Sequence, residues 1–343
     1  MPESKINPPK SWRNPERHWV SVMEHAYYKK LIEVQSCLHQ AVHQFFRSEK
    51  LNAFSPPMTT GSISSPMALG SDSLPVEVEL LGQKTYLADS MQFFLELGCR
   101  LHANGVYYLA VSFRGEQTDA THLQQFHHAE CEIPGQLADI VRFGSRFVYH
   151  LTASLLERCP DSLAALAGSL GHLEQLVRWE GQVPHITMQE AVELLGNREP
   201  GYILNHPLGF RVLTRRGEEA LVKVKGEGIG VWLTHFPSAS IPFYQALDSS
   251  GEHGLNGDLL LGAHEVLGCG QRHIRDEQVH AALKAHGVPP DSYLWYAEMR
   301  QRQPLQTAGF GLGMERFLMW ALQQADIRDC TVLYRDSQQA CLP

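Results

Sequence analysis

The stretch AGFGLGMERFLMW, residues 308–320, places a glycine-rich run directly before an apolar helical pattern. This order predicts a strand that runs straight into a helix, with Arg316 in the first turn of the helix. Small residues let a ligand approach the backbone, and a helix N-terminus favours anions. The run therefore predicts an anion site at Arg316, although such glycines can also serve only to pack a helix against a strand.

Upstream, GDLLLGAHEVLGCG, residues 257–270, has the alternation and the glycine of a β-hairpin. If Leu261 and Gly262 form its two-residue loop, Asp258 lies opposite Glu265 with the two side chains about 5 Å apart. Two carboxylates so placed repel each other unless one is protonated or a cation lies between them. A Mg²⁺ ion that shares its shell with phosphate oxygens fits this pair, and a solvated surface hairpin is the alternative.

A third segment, VYYLAVSFRGE, residues 106–116, is an apolar strand pattern that ends in Arg114 and Glu116. The planar fork of a guanidinium suits a phosphate group. An arginine at the end of a strand can equally form a surface ion pair, so the segment alone leaves both interpretations open.

Three histidines, His122, His127 and His128, lie within one short stretch. A zinc site would need a further ligand at finger-like spacing, and His127 and His128 point to opposite faces of a strand. We therefore interpret them as core or surface histidines.

The order of patterns along the chain predicts an α+β fold. A long helix is expected over residues 27–49, strands over 76–82, 84–89 and 105–116, and helices over about 136–195. Strands return over 231–237 and 258–268, and one more helix is expected near 276–286. Strands, then inserted helices, then strands favour an antiparallel sheet flanked by helices over a doubly wound parallel sheet.

Composition narrows the classes of partner. The 343 residues carry a net charge of -8 with no block of basic residues, which disfavours a strong nucleic-acid binder, DNA included. Seven cysteines without a CxxC pair indicate a reducing, cytoplasmic setting. The polar, proline-rich N-terminus and the lack of an apolar run of 18 residues predict neither secretion nor a membrane partner.

Taken together, these segments resemble the three signature motifs of class II aminoacyl-tRNA synthetases, in the order found in the aspartyl and asparaginyl branch. AFSPPMTT resembles motif 1, with Pro57 at the proline where the family forms its homodimer. FRGEQTDATHLQQFHHAECE resembles motif 2, and AGFGLGMERFLMW resembles motif 3. The resemblance implies a catalytic domain over residues 27–343, with a helical insertion at about 136–200, after an N-terminal extension of residues 1–26.

The resemblance also implies roles for individual residues. Arg114 would bind the α-phosphate of ATP and Arg316 the γ-phosphate, with Glu265 as the third catalytic residue. The implied ATP site consists of Arg114, Glu116, His122, Phe126, Glu265, Gly313 and Arg316, with Phe126 stacked on adenine. Asp258 and Glu265 would hold Mg²⁺. YLADSMQFFLE supplies Ser90 and Gln92 to the amino-acid site, and GCGQRH supplies Arg272, which reads a side-chain carboxylate or amide oxygen.

The sequence departs from the family where the family contacts tRNA. Only about 25 residues precede the first predicted helix, so we expect no N-terminal anticodon-binding domain. In motif 2 the family's Arg-His pair is Thr121-His122, a glutamate is Gln125, and the loop is shorter by one residue. In the pocket segment a usually basic position holds Ile241.

The prediction is therefore an ATP-dependent ligase that activates an amino acid similar to aspartate or asparagine as its adenylate. It would then transfer the acyl group to ammonia, as in the archaeal asparagine synthetases related to this branch, or to another amine. Aminoacylation of tRNA or a carrier is the second enzymatic option. A regulatory module that senses an amino acid or ATP without catalysis is the third, and the retained phosphate and metal positions disfavour it.

Overall fold

The computed structural model describes residues 5–65, 73–196 and 198–336. Its helices are α1 Pro15–Glu24, α2 Ala26–Ser48, α3 Gln92–Leu101, α4 Leu137–Arg158, α5 Pro160–Ala167, α6 Gly171–Arg178, α7 Met188–Leu195, α8 Arg215–Lys225, α9 Asp276–Ala285, α10 Leu294–Arg302 and α11 Met314–Ala321. Its strands are β1 Asn52–Ala53, β2 Thr59–Thr60, β3 Val76–Leu80, β4 Gln83–Leu87, β5 Val106–Phe113, β6 Gln125–Pro134, β7 His185–Thr187, β8 Ile203–Asn205, β9 Arg211–Leu213, β10 Gly230–Thr234, β11 Asn256–Leu261, β12 His264–Gln271 and β13 Thr307–Gly313.

A sheet of eight strands forms the centre of the described part, in the order β1-β5-β6-β13-β12-β11-β10-β7. Its interior pairs are antiparallel, and the two outermost pairs, β1 with β5 and β10 with β7, are parallel. The predicted α+β class, an antiparallel sheet flanked by helices, is confirmed. Strand β13, which contains the glycine-rich run, lies inside this sheet and pairs with β6 on one side and β12 on the other.

One face of the sheet is covered by α2 and α4. The predicted helix over 27–49 is confirmed, because the apolar residues of α2 recur at helical spacing and are buried. Phe46 stacks on Tyr107 of β5 with ring centroids 4.4 Å apart and on Phe147 of α4 at 4.8 Å. Burying one such ring stabilises the fold by about 1.5–3 kcal/mol. On the opposite face α3 packs against β5 and β6, with Leu95 and Cys99 in one buried cluster with Val106 and Tyr108.

The first described residues pack onto the same core. Trp12 is buried, and its Nε1 donates a hydrogen bond to Oδ1 of Asp329 at 2.8 Å. The hydroxyl of Tyr27 donates to the carbonyl of Asp329 at 2.7 Å. The segment before residue 27 is thus joined to the segment that follows α11.

The expected helical insertion at about 136–200 contains α4, α5, α6 and α7, but a strand interrupts it. Residues His185–Thr187 form β7, which pairs in parallel with β10 at the edge of the sheet. A capping box between Thr187 and Glu190 then starts α7 immediately. Three residues are too few to show a strand period in the sequence. The short β8–β9 hairpin and α8, which follow, are not among the predicted elements either.

The hairpin of β11 and β12 has a different register from the predicted one. Gly262 and Ala263 form the turn, with Gly262 at a φ of 59°, so Leu261 pairs with His264. A bulge after Leu259 shifts the register again, and Asp258 lies opposite Gly268. The predicted pairing of Asp258 with Glu265 is therefore wrong, because a glycine with positive φ at the first turn position favours a loop one residue later than we assumed.

No helix in the described residues is long and apolar enough to cross a membrane.

Candidate active site

The floor of the site is built by β6 and β13, which are paired neighbours in the main sheet. Three glycines of β13 lie directly opposite three polar residues of β6: Gly309 opposite Glu132, Gly311 opposite Glu130, and Gly313 opposite His128. A Cβ at position 309 would overlap the Glu132 carboxylate and lie 2.5 Å from the Cys131 carbonyl oxygen. We predicted that these glycines let a ligand approach the backbone. In the structure they also leave the space that the side chains of β6 occupy.

One end of this floor opens into a cleft lined by six of the seven residues predicted to bind ATP: Arg114, His122, Phe126, Glu265, Gly313 and Arg316. The guanidinium of Arg114 lies over the ring of Phe126, 5.6 Å from its centroid. Nε of Arg114 is buried and has no hydrogen-bond partner in the described residues. A buried donor without a partner is costly, and a phosphate oxygen would satisfy it.

Arg316 and Glu265 face each other across this cleft. Gly313 is the N-cap of α11, so Arg316 projects from the first turn of that helix as predicted. Its Nη1 lies 3.7 Å from Oε2 of Glu265 and donates to the Glu265 carbonyl at 3.3 Å. The Glu265 side chain is about half exposed (46%), and that of Arg316 about a quarter (26%), so both remain accessible to a ligand.

Glu116 is the predicted ATP-site residue that does not line the cleft. Its Oε1 accepts a hydrogen bond from Ser73 at 2.7 Å, and its Oε2 is buried without a partner in the described part of the chain. The structure therefore places Glu116 next to the loop at Ser73, beside the cleft rather than in it.

The other end of the floor is a cavity of about 250 Å³ that contains all three residues predicted to bind the amino acid, Ser90, Gln92 and Arg272. Ordinary ligand pockets start at about 300 Å³, so the cavity suits a small ligand. Nε2 of Gln92 is buried and has no partner among the described residues. The hydroxyl of Ser90 donates to Glu130 at 2.7 Å, which fixes its direction.

Arg272 is held in place by a buried network of charges. Its Nε and Nη2 donate to Glu132 at 3.0–3.2 Å, and Glu96 lies 3.9 Å from Nε. Glu96 is in turn paired with Arg300. Burial lowers the pKa of Arg272, but the two carboxylates outweigh it and raise the pKa above its usual value, so the guanidinium stays charged. Glu132 accepts from Nε and Nη2, and Arg272 also lines the cavity.

Asp258 and Glu265 come together despite the changed register. They do so over Gly268, where an added Cβ would lie 3.2 Å from Oε1 of Glu265 and 3.4 Å from Oδ1 of Asp258. Burial and the charges of Glu265 and Glu218 raise the pKa of Asp258. This excess of negative charge fits a divalent cation. Within the described residues no three His, Cys, Asp or Glu side chains form a metal cluster, so Mg²⁺ would need phosphate oxygens to complete its shell.

Several polar residues of the site were not predicted from the sequence. Glu218 on α8 faces the same carboxylate pair, and burial together with the charge of Glu265 raises its pKa to about 7. His128 and Glu130 lie on the floor. The two-residue period of Phe126, His128 and Glu130 along β6 was the available signal, because alternate residues of a strand share one face.

The nucleotide cleft and the amino-acid cavity meet at four shared residues, Arg114, His128, Glu265 and Gly311. A phosphate held at Arg114 would therefore lie next to the carboxylate of a ligand bound at Ser90 and Arg272. This geometry suits the joining of a carboxylate to a phosphate.

Comparisons with known proteins agree with this architecture. The family model "tRNA synthetases class II (D, K and N)" matches residues 13–337. The chain is 29% identical over 319 residues to an asparagine–tRNA ligase of Xanthomonas euvesicatoria pv. vesicatoria, covering 86% of this chain and 68% of that protein. It is 29% identical over 305 residues to the asparagine–tRNA ligase of Thermus thermophilus, covering 87% and 68%. The structure of asparaginyl-tRNA synthetase from Pyrococcus horikoshii complexed with asparaginyl-adenylate superposes with a TM-score of 0.84 at 22% identity, over 94% of this chain and 72% of that one.

Proposed function

Since the chain belongs to the class II tRNA synthetase family for aspartate, lysine and asparagine, we propose that it activates aspartate or asparagine as an aminoacyl-adenylate and transfers the acyl group to ammonia or another amine. Membership makes the chain a ligase of the asparaginyl and aspartyl type. The substrate and the acceptor are the parts that we propose.

The observation that carries the activation step is the junction of the two cavities at Arg114, His128, Glu265 and Gly311. A substrate carboxylate bound beside Ser90 and Gln92 would reach the α-phosphorus of an ATP bound at Arg114. Catalysis of this kind depends mainly on positioning and on stabilising negative charge. Arg114 and Arg316 supply positive charge at opposite ends of the triphosphate.

Asp258 and Glu265 would hold Mg²⁺ with phosphate oxygens, and the ion would supply further neutralisation of phosphate charge. The support is the convergence of their oxygens over Gly268 and the raised pKa of Asp258. Glu218 adds a third carboxylate nearby, which strengthens the attraction for a cation.

A side-chain oxygen on the amino acid is supported by Arg272. Two of its nitrogens donate to Glu132, and Arg272 also lines the cavity. A carboxylate or an amide oxygen accepts from such a donor, so aspartate and asparagine are the first choices. Buried Ile241 replaces the usually basic residue of the pocket segment and cannot add a second positive charge.

An amine acceptor is supported by the motif 2 loop and by charge. Thr121 lines the nucleotide cleft and donates to Asp119, 3.0 Å away, at a position where the family has an arginine. Binding of tRNA depends largely on neutralising phosphates with Lys and Arg, and this chain has a net charge of -8. Aminoacylation of tRNA is the second candidate, and it is favoured by the relatives, which are asparagine–tRNA ligases.

We also propose a homodimer that forms around Pro57. Pro57 is exposed, its neighbour Met58 is 51% exposed, and β1 forms an edge of the main sheet. An exposed apolar residue beside an open strand edge is typical of a surface that pairs with another chain.

The test supplies ATP, Mg²⁺ and aspartate or asparagine together with either ammonium chloride or total tRNA, and measures AMP release and the acylated product. We expect ammonium-dependent AMP release with an amide product. The Arg316→Ala variant serves as the control without activation, and it should release little AMP in either reaction. Near-stoichiometric, acid-precipitable aminoacyl-tRNA without an amide would overturn the amine acceptor.

A further inference from the structure

His128 occupies the place where the two halves of the site meet. It lies in β6 opposite Ala110 of β5 and Gly313 of β13, and its ring lines both the nucleotide cleft and the amino-acid cavity. The ring is 14% exposed and makes an edge-to-face contact with Phe126 at 4.8 Å. A group here is next to the acyl-phosphate bond of any adenylate that spans the two cavities.

The contacts of the ring fix which nitrogen carries the proton. Nδ1 lies 2.9 Å from Oε1 of Glu130 and 2.9 Å from the hydroxyl oxygen of Ser112. A lone pair on Nδ1 would be repelled by a carboxylate oxygen so close, so Nδ1 holds the hydrogen in the neutral ring. Nε2 then has the lone pair, and it has no hydrogen-bond partner in the described residues.

Glu130 is suited to keep this arrangement. It is buried, and its other oxygen accepts from Ser90 at 2.7 Å. Burial alone would raise the pKa of Glu130, but interactions with His128, Tyr108 and Ser90 outweigh it and lower the pKa below its usual value. The carboxylate therefore stays charged and stabilises a positive charge on the ring when His128 takes up a proton. Charged groups line both cavities around the ring: Arg114, Glu265, Glu315 and Arg316 in the nucleotide cleft, and Asp89, Asp258 and Arg272 in the amino-acid cavity.

We propose that Nε2 of His128, oriented by Glu130, is the general base of the acyl-transfer step, an inference that rests on the proposed amine acceptor. A carboxylate that orients an imidazole whose second nitrogen faces the reacting atoms is a recurrent arrangement for proton transfer. None of the steps of adenylate formation requires such a base, because the attacking carboxylate is already ionised.

The transfer step conserves atoms and charge. The nitrogen of the amine attacks the acyl carbon of the adenylate, and a C–N bond forms. The attacking nitrogen becomes positively charged and therefore acidic, and its proton passes to Nε2 of His128. The bond between the acyl carbon and the phosphate oxygen breaks, and AMP leaves with the electron pair. His128 then releases the proton to solvent.

The test separates transfer from activation. Enzyme-bound adenylate is formed from ATP and the amino acid, then mixed with ammonium or with hydroxylamine, a reactive amine probe, and AMP release is followed in a single turnover. We expect His128→Gln to slow transfer by about 10²-fold, a typical contribution of one general base. Pyrophosphate exchange should change much less. The matched control is His127→Gln, because His127 is adjacent in β6 but faces Glu315 on the other side of the strand.

The pH profile distinguishes a base from a structural residue. The ratio of the wild-type transfer rate to that of His128→Gln should depend on pH, because only the wild type carries the base, whereas ionisation of the amine affects both enzymes alike. Equal transfer rates and equal profiles for the two enzymes would overturn the role of His128 and leave the proposed function intact. If the wild-type enzyme does not transfer the acyl group to ammonium, the proposed amine acceptor is refuted. The reaction with hydroxylamine still decides whether His128 acts as a base.

Discussion

Replacement of Arg316 by alanine should abolish most of the activation of the amino acid without unfolding the protein. Arg316 is exposed to the cleft from the first turn of α11, and its contact with the protein is the pair with Glu265 at 3.7 Å. Both side chains are partly solvated, so losing the pair should cost at most about 1 kcal/mol of unfolding free energy.

The catalytic cost should be larger. A unit charge about 4 Å from a phosphate contributes about 4 kcal/mol at an effective dielectric constant of about 20. The side chain is 26% exposed, which reduces this value. Removing one preorganised charge typically slows a reaction by about 10²–10³, and solvent screening places Arg316→Ala near the lower limit.

The assay is amino-acid-dependent exchange of pyrophosphate into ATP, combined with thermal unfolding. Arg302→Ala is the matched control, because Arg302 also forms an exposed ion pair, with Glu298 at 2.5 Å, on a helix that does not line the cleft. We expect about a 10²-fold loss for Arg316→Ala and no loss for Arg302→Ala. An Arg316→Ala enzyme that retains activity, or that unfolds outright, would refute the assignment of Arg316 to the phosphate site.

Three further predictions concern the floor and its two sides. Glu265→Gln should lower the rate of pyrophosphate exchange by about 10² and raise the Mg²⁺ concentration required, whereas an unchanged Mg²⁺ dependence would contradict the proposed metal site. Gly309→Ala should lower the free energy of unfolding, measured with urea, by about 1–3 kcal/mol and weaken amino-acid binding, because the added Cβ overlaps Glu132. Unchanged stability would show that the strands or Glu132 can shift to accommodate the methyl group. His127→Gln should lower stability more at pH 6 than at pH 8.5. The hydrogen bond to Glu315 raises the pKa of His127, so its contribution is complete below the unfolded pKa and disappears as pH rises through the folded one; an equal loss at both pH values would contradict this.

The elements that the sequence predicted well are those in which a regular pattern of apolar residues or glycines continues over many residues. The 23-residue helix α2 shows its buried stripe over six turns, and the strand before α11 is marked by its alternation with glycine. Short elements such as β7 have too few residues for a period to appear. The predicted register of the β11–β12 hairpin was wrong because the turn lies at Gly262 and Ala263, one residue later than assumed. A bulge after Leu259, which leaves no mark in the local sequence, shifts the register further.

The site was predictable to the extent that its residues belong to motifs. Arg114, Phe126 and Arg316 come together in one cleft as expected. Glu116 lies beside that cleft, because the end of β5 turns away and brings its carboxylate to Ser73. The proposed role of His128 depends on a contact with Glu130, two residues along the same strand, and on the glycines opposite both. Those contacts appear only when β6 and β13 are paired.

Every function proposed for this chain depends on its forming an aminoacyl-adenylate. The most direct measurement is exchange of radiolabelled pyrophosphate into ATP, run with each of the twenty standard amino acids singly, with and without Mg²⁺. We predict Mg²⁺-dependent exchange stimulated by aspartate or asparagine, because Arg272 lines a cavity of about 250 Å³ together with Ser90 and Gln92. If ATP binds but no amino acid supports exchange, the chain is a sensor of its ligands and adenylate formation is contradicted.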